Sequence, residues 1–201
     1  MFLVFFDLEG VFIPEIWINV AIRTGIDKLN LTTRDINNFN LLMKYRLKIL
    51  KEYQISLEEI QNIVKNMELI NGAREFYDWI RTIAQIIIIS DNFIEILWPI
   101  IEKLDFPLIF CHNLEIDKNN MITNYHLRLR DMKKKTVKMF KKLNYDIIAV
   151  GDSYNDIGML LEAEYGILFR PPEKIVKKFP EIHAIREYTQ LQQVLANHLG
   201  L

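Results

Sequence analysis

The sequence predicts an α/β chain: a Rossmann-like, doubly wound parallel sheet with a small helical cap domain inserted after the first strand. Three observations carry this prediction: short apolar runs, helical periods between them, and one long interval without a strand run. The runs are Phe2-Leu3-Val4-Phe5-Phe6, Ile86-Ile87-Ile88-Ile89, Leu108-Ile109-Phe110 and Ile147-Ile148-Ala149-Val150, with Gly166-Ile167-Leu168-Phe169 as a fifth. Each is continuous rather than alternating, as strands buried on both faces are.

Between the runs, apolar residues recur at helical spacing. Phe76, Trp79, Ile80 and Ile83 share one face of a helix opened near Gly72. Phe93 to Leu104, Val137 to Leu143 and Ile157 to Leu161 repeat the pattern. Strands alternating with helices of this length imply parallel pairing through right-handed crossovers. From Pro14 to Asn71 the rhythm breaks into helical stretches only: Glu15 to Thr24, Phe39 to Tyr53 and Ser56 to Met67. Ser56 with Glu59 three residues on is a capping-box signature for the last of them. The division expected is a core of residues 1–14 and 72–201 and a helical insertion of 15–71. Asn113 to Arg130 reads as a hairpin turning at Asp117-Lys118-Asn119-Asn120. The segment from Pro171 to Leu201 reads as helical finishing of the core.

Composition excludes several classes. Of 201 residues, 50% are apolar and 25% charged, which excludes disorder. Twenty-five basic against 26 acidic residues leave no positive excess for a nucleic-acid backbone. The single cysteine, Cys111, allows no intrachain disulfide. No apolar stretch approaches the roughly 18 residues that span a bilayer, and the apolar start is cut at Asp7 without a basic flank, unlike a signal peptide. These features lead to the expectation of a cytoplasmic protein with small-molecule partners. They leave the oligomeric state open, a homodimer included.

What ends the strands is more informative. The first run closes in Asp7-Leu8-Glu9-Gly10, the second in Ser90-Asp91-Asn92, and the fourth in Gly151-Asp152-Ser153-Tyr154-Asn155-Asp156. Open α/β sheets bind ligands at the carboxyl ends of their strands, so these residues converge on one rim. A single aspartate after a strand is often only the N-cap of the next helix, and that is the better reading for Asp91. Four acids together, Asp7, Glu9, Asp152 and Asp156, repel and desolvate one another unless a cation offsets the cost. Hard oxygen ligands of this kind favour Mg²⁺ with a substrate phosphate. Ser90 supplies a hydroxyl donor, and Lys133-Lys134-Lys135 a cation at the start of a helix, where the macrodipole disfavours positive charge. Cys111 and His112 read as a buried thiol and a satisfied histidine, with no acid/base partner to place beside them.

Taken in order, Asp7-Leu8-Glu9-Gly10-Val11, Ser90-Asp91-Asn92, a lysine opening a helix, and Gly151 to Asp156 resemble the four motifs of the haloacid dehalogenase-like phosphohydrolases. Within them the chain is similar to the phosphoserine phosphatase group, and more narrowly to its bacterial bifunctional phosphoserine phosphatase/homoserine phosphotransferase branch. The narrower match lies in Pro14-Glu15-Ile16-Trp17, Thr24 to Asp27, Thr32-Thr33-Arg34-Asp35-Ile36, Leu42 to Lys44 with Arg46-Leu47, Cys111-His112, Leu114 to Asp117, and Gly166 to Phe169.

The resemblance implies a role for each matching residue. Asp7 is the nucleophile, and Glu9 protonates the leaving oxygen and then activates the acceptor. Asp7, the Glu9 carbonyl, Asp152 and Asp156 hold or support Mg²⁺. Ser90, Asp91, Asn92, Lys133 and Asn155 surround the phosphoryl group. Arg46 and Glu15 pair with the substrate's carboxylate and ammonium, under Phe39 and Met43. The departure from the wider family is Glu9, where aspartate is usual. A phosphatase for another small phosphomonoester, and a phosphoacceptor switch of the receiver type, are the competing readings. The long helical interval speaks against the second.

Overall fold

In the computed structural model, which describes residues 1–32, 35–36 and 38–201, each apolar run falls in a strand, except that Leu108 precedes β3 and is exposed. Along β1 (Phe2–Phe6), Val4 and Phe6 point into one apolar cluster while Leu3 and Phe5 point into another. The same alternation repeats in β2 (Gln85–Phe93), where Ile88 faces the first cluster and Ile87 and Ile89 the second. It recurs in β5 (Asp146–Gly151), with Ile148 and Val150 against Ile147 and Ala149. A period of two with both faces buried produces an unbroken hydrophobic run.

β3 (Ile109–Ile116) and β4 (Ile122–His126) extend the sheet on one side of β2; β6 (Tyr165–Phe169) and β7 (His183–Ile185) extend it beyond β5. The strand order is β4-β3-β2-β1-β5-β6-β7, parallel except for the β3–β4 hairpin. The hairpin turns at Asp117 to Asn120 as expected, its ends joined by the Asp117 N–H donating to the Met121 carbonyl at 2.9 Å. β7 corrects the expectation of a purely helical C-terminal segment. It has three residues, of which only Ile185 is buried, too little for a periodic signal.

The helices are α1 (Ile16–Thr24), α2 (Phe39–Glu52), α3 (Leu57–Lys65), α4 (Ala73–Ile83), α5 (Ile94–Ile101), α6 (Met132–Lys142), α7 (Ile157–Glu162), α8 (Glu173–Lys178) and α9 (Tyr188–Leu199). Between β1 and α4 only α1, α2, α3 and a short 3-10 turn at Asp27–Asn30 occur among the described residues. Thr33 and Arg34, part of the resembling segment, lie outside the described residues, as does Asn37. The capping box forms: Glu59 N–H donates to Ser56 Oγ at 3.2 Å, and Ser56 N–H to Glu59 Oε2 at 2.7 Å. The hairpin also clamps this insertion. Asn120 accepts from Glu58 N–H at the start of α3, and Tyr125 Oη donates to Asn40 on α2, both at 2.8 Å. No helix among the described residues is long and apolar enough to cross a membrane.

Candidate active site

From β1 the chain winds through β2 and β3 to one side, then returns through β5 to the other, so strand order reverses between β1 and β5. Their carboxyl ends deliver Asp7 and Asp152, and the Asp7 N–H donates to the Val150 carbonyl at 2.9 Å. Asp7, Asp152 and Asp156 are all buried, and one carboxylate oxygen from each lies within 4.8 Å of the others. Two glycines make this approach possible. A Cβ on Gly151 would stand 2.4 Å from Asp156 Cγ, and one on Gly10, at φ +77°, would stand 2.4 Å from Asp152 Cγ. Any side chain there would push an acid out of the cluster.

Lys133 is the buried member of the lysine triplet, 3% exposed. Its Nζ lies 2.7 Å from Asp156 Oδ1, 2.9 Å from Asp7 Oδ1 and 3.9 Å from Asp91 Oδ2. Burial opposes the ammonium's charge, but Asp156, Asp7 and Asp91 overcome this and hold its pKa well above the ordinary lysine value. Asp7 is pushed well above the ordinary carboxylate value by burial first, then by Asp156 and Asp152; Lys133 only partly offsets them. One ammonium is therefore too little positive charge for three buried carboxylates. Hard oxygen donors at this spacing fit a divalent cation such as Mg²⁺. Asp156 is anchored behind the other two, its Oδ2 accepting from the Asp152 and Ser153 N–H groups at 3.0 Å each.

Glu9 sits two residues past Asp7. Its Oε1 accepts from Ile16 N–H at 2.8 Å, closing the first turn of α1, and its Oε2 accepts from Asn92 Nδ2 at 3.2 Å. Burial raises its pKa against these two bonds, the direction that suits a carboxyl that gives a proton in general acid catalysis. Ser90 is buried, its Oγ accepting from Asn92 N–H at 3.1 Å. Asp91 is not the N-cap of the following helix: Phe93 holds that position, without a side-chain cap. Asp91 Oδ2 instead accepts from Asn155 Nδ2 at 2.8 Å. Strand β2 runs on through Asp91 in an irregular register, so the side chain turns toward Lys133 rather than the helix.

The expectation for His112 is corrected too. It is buried, as is Cys111, whose thiol burial pushes up to about 11. But His112 Nδ1 has no hydrogen-bond partner among the described residues, and Nε2 faces Asp91 Oδ1 at 3.9 Å. An acid therefore does stand beside it, brought by a strand that the sequence cannot pair.

Asp7, Glu9, Glu15, Phe39, Arg46, Asp91, Asn92, Lys133, Asp152 and Asn155 line one small cavity of about 50 Å³. Ser90, Met43 and Asp156 are buried and are not among the residues that line it. Arg46 is buried on α2 rather than spread on the surface. Its guanidinium carbon lies 4.4 Å from the Trp17 ring centroid, Nη2 donates to the Leu31 carbonyl at 2.9 Å, and Nη1 lies 3.9 Å from Met43 Sδ. Its Nε has no hydrogen-bond partner among the described residues. Burial lowers its pKa to about 10, with Glu9 and Glu15 opposing the shift. Glu15 does not cap α1 with its side chain.

Trp17, Thr32 and Ser153 also line this cavity, and none of the three was singled out for the site from the sequence. Trp17 is itself a buried core residue next to Ile16 on α1, and its contact with Arg46 is non-local. The available signal was its place in the resembling segment Pro14-Glu15-Ile16-Trp17.

The haloacid dehalogenase-like hydrolase profile matches residues 3–164. The chain is 47% identical over 187 residues to a protein of Pseudomonas aeruginosa named phosphoserine phosphatase ThrH, covering 93% of this chain and 91% of that one. It is 45% identical, again over 187 residues, to a phosphoserine phosphatase of Pseudomonas syringae pv. tomato, covering 93% and 79%. A solved phosphoserine phosphatase, described as a phospho-aspartyl intermediate analogue, shares the fold at TM-score 0.76 and 20% identity, covering 96% and 97%. Motif order, the acid cluster at the switch point and these likenesses agree: the chain belongs to the haloacid dehalogenase-like hydrolases.

Proposed function

We propose that this protein is a Mg²⁺-dependent phosphoserine phosphatase that works through an aspartyl-phosphate on Asp7 and also transfers the phosphoryl group to homoserine. The observation that carries the substrate is Arg46. A buried guanidinium with an unsatisfied nitrogen, in a cavity that ends on Asp7 and Lys133, suits a molecule with a carboxylate at one end and a phosphate at the other. The names of the relatives agree. Residues 15–71 would be a cap over the core formed by 1–14 and 72–201, in a cytoplasmic enzyme.

In this reading Asp7 attacks phosphorus and the ester P–O bond breaks. Glu9, whose pKa burial raises, gives its proton to the leaving serine oxygen. In the second half, water or an alcohol returns a proton to Glu9 as its oxygen displaces Asp7 from phosphorus. Mg²⁺, held by Asp7, Asp152, the Glu9 carbonyl and Asp156 behind them, would neutralise charge on the transferring oxygens. Lys133, Ser90 and the turn after it, with Asn155 beside them, oppose the remaining charge. Glu15 would face the substrate ammonium, with Phe39 and Met43 closing over it.

Purified protein given phosphoserine, sugar phosphates and nucleotides should prefer phosphoserine clearly. Arg46→Ala should raise KM for phosphoserine about 10- to 100-fold, the worth of a charged hydrogen bond, and leave an aryl phosphate nearly unaffected. Equal turnover across the panel, or equal losses on both substrates in the variant, would rule out phosphoserine as the specific substrate.

Transfer rests on Glu9. Its longer side chain spans Ile16 and Asn92, and a carboxyl displaced by one methylene changes how an acceptor is seated. Glu9→Asp should shift the ratio of transfer to hydrolysis, measured as phosphohomoserine against free phosphate, toward hydrolysis. An unchanged ratio would remove Glu9 from acceptor choice.

A further inference from the structure

A second cavity of about 750 Å³ adjoins the small catalytic one. Phe39, Asp91, Lys133 and Asn155 line both spaces, so the two cavities share these residues as a common wall. In the small cavity Arg46 and Lys133 stand among Asp7, Glu9, Glu15 and Asp152, and the protein's net charge of −1 offers a phosphate dianion no general attraction from a distance. The large cavity is built differently. Arg130 and Lys178 line it, and neither has an ion-pair partner among the described residues; Lys178 Nζ rests 5.2 Å from the Tyr154 ring centroid.

Asp131, Met132 and Lys133 at the start of α6 line the same wall, and no side chain caps that positive end of the helix. His112, 3% exposed, stands in that wall with Nδ1 unpartnered. Against these stand two acids. Asp91 is occupied by Asn155, and Asp131 lies exposed at the α6 start.

We propose that this cavity is a second oxyanion site, a port in series with the catalytic pocket. Arg130, Lys178 and the first turn of α6 take up a phosphate dianion before it passes to Lys133. The ligand is either the phosphoryl end of a phosphomonoester on its way in or inorganic phosphate on its way out. The port rests on the phosphatase reading above but not on serine as the leaving group.

Arg130→Ala/Lys178→Ala tests this in the Mg²⁺-loaded enzyme, with phosphoserine and an aryl phosphate as substrates and inorganic phosphate as inhibitor. Both side chains are exposed, so the fold should be retained. At low salt kcat/KM should fall about tenfold or more on both substrates, with kcat within about twofold. The deficit should shrink as ionic strength rises, and Arg130→Lys/Lys178→Arg should restore the wild-type value. A parallel rise in the inhibition constant of phosphate shows the port serving the product as well; a constant that stays put assigns it to the incoming ester alone. Unchanged kcat/KM, a salt-independent loss, or kcat falling with KM constant would each overturn the port. If the aryl phosphate shows the expected split while wild-type enzyme leaves phosphoserine untouched, the substrate reading falls and the port stands.

Discussion

Asp7→Asn should abolish phosphoserine turnover, lowering kcat on the order of 10⁴-fold or more, as loss of a covalent nucleophile does, while the protein stays folded. The amide is isosteric, and the strand tip it occupies keeps its backbone bond to Val150. Stability adds a second readout. Because Asp7's folded pKa lies above its unfolded one, metal-free protein holds this group's contribution below the unfolded pKa. It loses that contribution as pH rises through the raised folded value. The variant has no such group, so its melting temperature in EDTA should depend less on pH across that window. Turnover within tenfold of wild type would refute the covalent mechanism.

Lys133→Met should hurt twice. The substitution keeps the buried stem but removes the ammonium that touches both Asp7 and Asp156. Leaving buried carboxylates without their partner costs about 3–5 kcal/mol, readable by chemical denaturation in EDTA. A divalent cation should recover part of that loss, since it replaces some of the missing positive charge. Activity should not recover with it: removing a preorganised charge from the phosphoryl oxygens lowers kcat by about 10²- to 10³-fold. Full rescue of both properties by excess cation would show that Lys133 only balances charge.

How much of this was legible in the sequence varies by residue. Strands buried on both faces announce themselves, and Asp7 and Asp152 follow strand ends as chain order predicts, whereas Ser90 lies inside β2, which runs on to Phe93. Lys133 stood out because a cation at a helix start works against the local dipole, and its burial beside Asp7 and Asp156 gives the physical reason. Asp91 and His112 were misread for one shared cause. Their environments depend on how β2 bends past Ile89 to pair with β3 again at Phe93, and strand register of that kind leaves no trace in local composition. The contact of Trp17 with Arg46, and the hairpin's grip on α2 and α3, are likewise products of tertiary packing. β7 was invisible because a three-residue edge strand with one buried side chain has no period.

Everything chemical here depends on whether three carboxylates from two strand ends gather a divalent ion. Thermal unfolding of EDTA-stripped protein titrated with Mg²⁺, for wild type and Asp152→Asn, addresses this without any substrate. At roughly 100-fold above Kd, ligand binding should raise the wild-type Tm by about 5–10 °C, and the variant should respond far less. A wild-type Tm that ignores Mg²⁺, or a variant that responds equally, would contradict the assignment.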